Sequence, residues 1–135
     1  MPLLVDTGIL YALADRTDAW HQKSTRYLRS VRQRLLAPVS ILAEVCYLLR
    51  DRIGEQAELA FVTSIAAGEV AVEDLKASDW TRVAELMAQY DGIGMVDASV
   101  IAIAERLKID TLATTDRRHF TMVRPAHIER LTLVP

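Results

Sequence analysis

Leu3-Leu4-Val5-Asp6-Thr7-Gly8 is an aliphatic run too short for a helix, closed by an acid and by turn-forming residues. It reads as a buried strand with Asp6 at its C-terminal end. The same pattern returns in Thr111-Leu112-Ala113-Thr114-Thr115-Asp116, a second short strand closed by an acid. Helical stretches fill the interval. Ile9 to Ala14 reads as a short helix, and Trp20, Tyr27, Leu28, Val31 and Leu35 recur at helical spacing, predicting a helix over residues 19–34. Pro38 breaks the chain. Val39 to Arg50 follows as a helix apolar nearly all round, with Ser40 as a capping residue. Glu55 to Ala67 is a further helix stopped by Gly68, and Val70 to Val72 a short strand. Ser78 or Asp79 caps a helix reaching Tyr90, Asp91-Gly92-Ile93-Gly94 makes a turn, and Asp97 opens a helix ending near Lys108. Asp116 to His127 reads as a basic loop, and Leu131 to Val134 as an edge strand. Short strands alternating with helices indicate an α/β sandwich on a largely parallel sheet.

With 135 residues, 51% of them hydrophobic, residues 1–135 make one domain with one core. A formal charge of −2 excludes a polycation that binds nucleic acid by bulk charge. The lone Cys46 excludes an internal disulfide framework and suits a reducing cytosol; sharing a stripe with Leu42, Val45, Leu49 and Ile53, it reads as core. The N-terminus lacks a signal peptide's basic region and apolar stretch, and no run approaches membrane-spanning length. The expectation is a soluble, cytoplasmic protein without membrane contact.

Four carboxylates interrupt or end aliphatic runs: Asp6, Glu44, Asp97 and Asp116. An unpaired carboxylate taken from water costs several kcal/mol or is neutralised by a raised pKa, so four in apolar segments suggest a shared hard cation. Asp6 and Asp116 fall at the carboxyl ends of strands, where open α/β sheets build their sites. Three or four acids satisfy Mg2+ or Mn2+, and such ions support phosphodiester hydrolysis without a protein nucleophile. Each acid also has a plainer reading. Asp6 or Asp97 can cap the following helix, Asp116 can be a turn residue, and Glu44 can pair with an arginine. Other constellations are absent: there is no glycine-rich phosphate loop, and His21, His119 and His127 are scattered rather than set at zinc spacing. Lys23, Arg26, Arg29, Arg32 and Arg34 form a basic stretch that reads as a solvated helix face. Arg117-Arg118-His119, directly after Asp116, reads as a cluster able to neutralise phosphate.

Val5-Asp6-Thr7-Gly8, Glu44 after Pro38-Val39-Ser40, Asp97-Ala98-Ser99, and Thr114-Thr115-Asp116-Arg117-Arg118-His119-Phe120 together resemble a PIN-domain ribonuclease. The resemblance covers the whole chain and is closest to toxin subunits of the VapC type from bacterial toxin–antitoxin pairs. It implies a three-layer α/β/α fold and a Mg2+- or Mn2+-dependent endoribonuclease acting on RNA. In its terms Asp6, Glu44, Asp97 and Asp116 match the acidic quartet. Thr7 matches a position near the metal's water, and Thr115 a polar residue beside the last acid, with Arg117 and Arg118 as phosphate contacts. Relatives often carry Ser where Gly8 stands, and an acid near Asp91, which reads here as a turn residue. A homodimer and a separately encoded antitoxin, whose tail blocks the groove, are implied as partners. Two other readings accommodate the acids: a non-catalytic module binding nucleic acid or protein, and an aspartyl-phosphate phosphotransfer domain. The latter lacks its usual second acid, because Gly8 stands two residues after Asp6.

Overall fold

In the computed structural model, which describes residues 1–135, five strands and seven helices alternate. The first half runs β1 (Leu3–Val5), α1 (Thr7–Ala14), α2 (His21–Ser30), β2 (Leu35–Pro38), α3 (Val39–Arg52) and α4 (Glu55–Ala66). The second runs β3 (Val70–Glu73), α5 (Ala77–Gln89), α6 (Met95–Leu107), β4 (Thr111–Ala113), α7 (Arg117–Met122) and β5 (Thr132–Val134). The strands form one sheet in the order β3-β2-β1-β4-β5, every pair parallel. Leu4 pairs with Leu36 on one side and Leu112 on the other.

The sheet grows outward from β1 through β2 to β3, then restarts on the opposite side of β1 with β4. Because parallel crossovers are right-handed, that reversal puts α1 to α4 on one face and α5 and α6 on the other, giving the expected three layers. Side chains explain why the arrangement holds. Leu3, Leu4, Val5, Leu112 and Ala113 are fully buried, as central parallel strands covered on both faces require. Helix α6 is buried from Ala98 through Glu105, so it serves as the core helix of its layer. Its polar members are tied down: Arg82 of α5 grips Glu105 through two hydrogen bonds of 2.7 and 3.0 Å. Arg106 binds the buried Asp79 and also Glu73. Burial acts to raise the Asp79 carboxyl, but Arg106 and the Lys76 amide outweigh it and hold the group below its ordinary range. No helix is long and apolar enough to cross a membrane.

Several expectations need correction. The helix predicted over residues 19–34 ends at Ser30, and Leu35–Pro38 is the strand β2. A short apolar run buried on both faces carries no alternation, so Leu35 was indistinguishable from a helical stripe position. The expected loop after Asp116 contains α7. Asp79 acts from the third residue of α5, accepting the Lys76 N–H at 2.9 Å. Ser40 does not cap; its hydroxyl meets that of Ser99 at 2.6 Å, linking α3 to α6. Cys46 is only partly buried, whereas Asp91 lies in an exposed turn, as expected.

Candidate metal centre

Asp6 and Asp116 follow the adjacent strands β1 and β4, at the carboxyl edge where the strand order reverses, the usual place for a site in an open α/β sheet. Both cap the helix that follows: Asp6 Oδ1 accepts the Ile9 N–H at 3.2 Å, and Asp116 Oδ1 the His119 N–H at 3.3 Å. The capping reading is therefore correct for Asp6 and extends to Asp116. It fails for Asp97, which sits third in α6 after an N-cap at Gly94. Capping does not exhaust these residues, because a cleft of about 210 Å3 is lined by Asp6, Thr7, Gly8, Glu44, Val96, Asp97, Val100 and Asp116. All four predicted acids thus face one cavity.

Their environments differ. Asp6 is 6% exposed, and its Oδ2 accepts the hydroxyl of Thr114, itself fully buried. Burial pushes the Asp6 carboxyl from 3.8 to about 7, against the pull of Thr114 and the Ile9 amide and with added repulsion from Asp97 and Asp116. Asp97 is also raised, by burial first and then by the charge of Asp116, with His119 opposing and Glu44 adding to it. Glu44 is exposed, contrary to the expectation from its apolar helix. The stripe Ile41, Val45 and Leu49 of α3 is fully buried, with Leu42 and Leu48 packed beside it, which leaves Glu44 and Tyr47 on the open side. No arginine or lysine pairs with any of the four acids, so the buried-bridge reading of Glu44 fails.

Two side chains contact the acids in roles the sequence did not show: Thr114 holds Asp6, and His119, read above only as part of a phosphate-neutralising cluster, meets Asp97 and Asp116. His119 Nδ1 lies 2.8 Å from Asp116 Oδ2 and 3.2 Å from Asp97 Oδ2. The signal available for His119 was its position three residues after Asp116, one helical turn away. Thr115 lies at the edge of the cleft, where its hydroxyl occupies the space that a Cβ on Gly8 would need. Arg117 donates to the Pro135 carbonyl and stands 6.0 Å from the Trp20 ring, so its guanidinium is already engaged. Arg118 is exposed and makes no ion pair.

The cleft suits a divalent cation. It gathers carboxylates without a permanent cationic side chain, and the Thr7 hydroxyl on its wall is buried without a hydrogen-bond partner. One donor atom each from Asp97, Asp116 and His119 lie within 4.8 Å of one another. Asp6 and Glu44 line the same cavity outside that tight trio.

A PIN-domain family profile matches residues 3–124. The chain belongs to the PIN-domain family. Ribonuclease VapC26 of Mycobacterium tuberculosis is 30% identical over 135 residues, spanning 98% of this chain and 100% of that protein. Among solved structures, this PIN domain is similar to M. tuberculosis VapC20, described as a sarcin–ricin loop cleaving toxin. The TM-score is 0.83 at 24% identity, covering 94% of this chain and 98% of that one. VapBC2 from Rickettsia felis, bound to a DNA fragment from its promoter, matches with a TM-score of 0.71 at 16% identity, covering 98% and 97%. The resemblance read from the motifs is borne out, as is the PIN-like sandwich.

Proposed function

We propose that this PIN domain is a Mg2+- or Mn2+-dependent endoribonuclease and the toxin of a cytoplasmic toxin–antitoxin pair. The observation that carries the reading is the convergence of Asp6, Glu44, Asp97 and Asp116 on one cleft without an arginine or lysine to neutralise them. The named activity of VapC26 supports the ribonuclease assignment, and the VapBC2 assembly supports an antitoxin partner. Asp6, Asp97 and Asp116 would hold the ion, and Glu44 would help hold it or orient the attacking water. When bound, the cation supplies charge neutralisation at phosphate and activation of water. Thr114 fixes the Asp6 carboxylate in its rotamer, so that the site is ordered before substrate arrives. Thr7 and Thr115 offer hydroxyls at the cleft, and exposed Arg118 supplies the phosphate contact, with Arg117 beside it bonded to the Pro135 carbonyl. In the reaction a water oxygen bonds to phosphorus as the bond to the 3′ oxygen breaks, leaving 5′-phosphate and 3′-hydroxyl ends. The same fold and family suit a homodimer.

The aspartyl-phosphate reading lacks its second acid, because Gly8 stands two residues after Asp6. The test is incubation of wild type and Asp97→Asn with total cellular RNA in Mn2+ or in chelator, with every new 5′ end mapped. Discrete cuts in wild type with Mn2+ alone are expected. Cleavage that survives in chelator, or full cleavage by Asp97→Asn, would overturn the reading.

A further inference from the structure

We propose that His119 is a nitrogen ligand of the bound cation and that it shifts the site's preference from Mg2+ towards Mn2+. The inference rests on the metal-dependent reading above. Its basis is the spacing of donor atoms. Nδ1 of His119 lies 2.8 Å from one carboxylate oxygen and 3.2 Å from another. Neighbouring ligands around an octahedral ion with bonds near 2.1 Å stand about 3 Å apart, so the two distances bracket the edge of such a site. In the metal-free protein one Nδ1–H shared between the two carboxylates holds the three atoms together. A cation among them would take that proton's place.

The local fold fixes the ring where this requires it. Asp116 caps α7 and accepts the His119 N–H, so the carboxylate and the imidazole are presented by one turn. Asp97 comes from the buried helix α6, whose position the core sets. Apart from the two carboxylates at Nδ1, no group of the protein hydrogen-bonds a ring nitrogen of His119, and the side chain is 36% exposed. Buried, unpartnered Thr7 Oγ1 lines the cleft together with Asp97 and Asp116, the two acids that His119 meets, and independently marks a cavity built for a polar occupant. Mg2+ takes oxygen donors almost exclusively, whereas Mn2+, the first ion of the Irving–Williams series, shares that liking for oxygen but as a transition ion accepts imidazole nitrogen more readily. Replacing one oxygen by nitrogen therefore moves the preference towards Mn2+.

The experiment loads wild type, His119→Ala, His119→Gln and Asp97→Asn with Mn2+ and records pulsed electron paramagnetic resonance. Calorimetric titration of Mn2+ and of Mg2+ accompanies it. Wild type is expected to show nitrogen modulation that changes frequency when its histidines are 15N-labelled and disappears in both His119 variants. Mn2+ affinity should fall at least about tenfold in those variants, with a smaller fall for Mg2+. Melting of the metal-free variants checks that they are folded, and the labelled wild type gives an answer that needs no variant. Modulation absent from wild type or retained in the His119 variants, with Mn2+ binding lost only in Asp97→Asn, would overturn the ligand role and leave the metal site standing. Failure of wild type to bind either ion would overturn both.

Discussion

Asp6 carries the highest electrostatic cost in the cleft, and its partners show how that cost is contained. Thr114→Val keeps the shape of the side chain but removes the hydroxyl that Asp6 accepts. A buried carboxylate losing a hydrogen bond costs about 1–3 kcal/mol, and an outer partner of a metal ligand is worth about 10–100-fold in affinity. Thr114→Val should therefore lower the melting temperature and weaken Mn2+ binding in calorimetry, with Thr115→Val weaker in both. The pH dependence has a definite sign. With its pKa raised to about 7, folded Asp6 keeps a proton that the unfolded chain, near 3.8, gives up. The stability from this residue is complete below the ordinary carboxylate range and is lost as pH rises through about 7. The metal-free protein should be less stable at pH 7.5 than at pH 5 in denaturant unfolding, by on the order of a few kcal/mol, and Asp6→Asn should flatten most of the difference. Raised Asp97 adds to the trend in the same direction. These acids were legible in the sequence because a carboxylate ending an aliphatic run is conspicuous. Thr114 and His119 were not. Thr114 and Thr115 lie in the irregular link between β4 and α7, where no alternation says which threonine faces Asp6, and a single histidine among three carries no period.

At the scale of elements, the long-period features were readable and the short ones were not. α3 and α6 announced themselves by length and apolarity, whereas β2 is four residues fused in pattern to the preceding helix, and α7 is a six-residue helix inside a basic stretch. The packing of α5 on α6 can be tested through Arg106, whose removal strands Asp79 at 2% exposure. Arg106→Ala should cost about 3 kcal/mol in denaturant unfolding, far more than an exposed pair such as Arg50 with Glu55. The junction of β1 with α1 is equally specific. A Cβ at Gly8 would collide with the Thr115 hydroxyl, so Gly8→Ala should destabilise by about 1–3 kcal/mol despite its better helix propensity. Adding Thr115→Ala removes the colliding atom and should recover most of the loss, which a double-mutant cycle reads directly.

For the molecule as a whole, metal occupancy and folding are coupled. A ligand bound only by the native state stabilises it by about 2.7 kcal/mol at a hundred times its dissociation constant. Saturating Mn2+ should raise the melting temperature of wild type more at pH 7.5 than at pH 5, because the acids must be ionised to bind, and Asp97→Asn should abolish most of that gain. The strand order also has a temporal meaning. β4 follows β2 and β3 in the chain yet lies on the other side of β1, and the Thr114 hydroxyl reaches back across 108 residues to Asp6. Asp97 and Asp116 are synthesised late, and that long loop closes only when β4 docks. A growing chain on the ribosome, with Asp6 and Glu44 already made, therefore carries half an acidic cleft and no working centre until its last strands emerge.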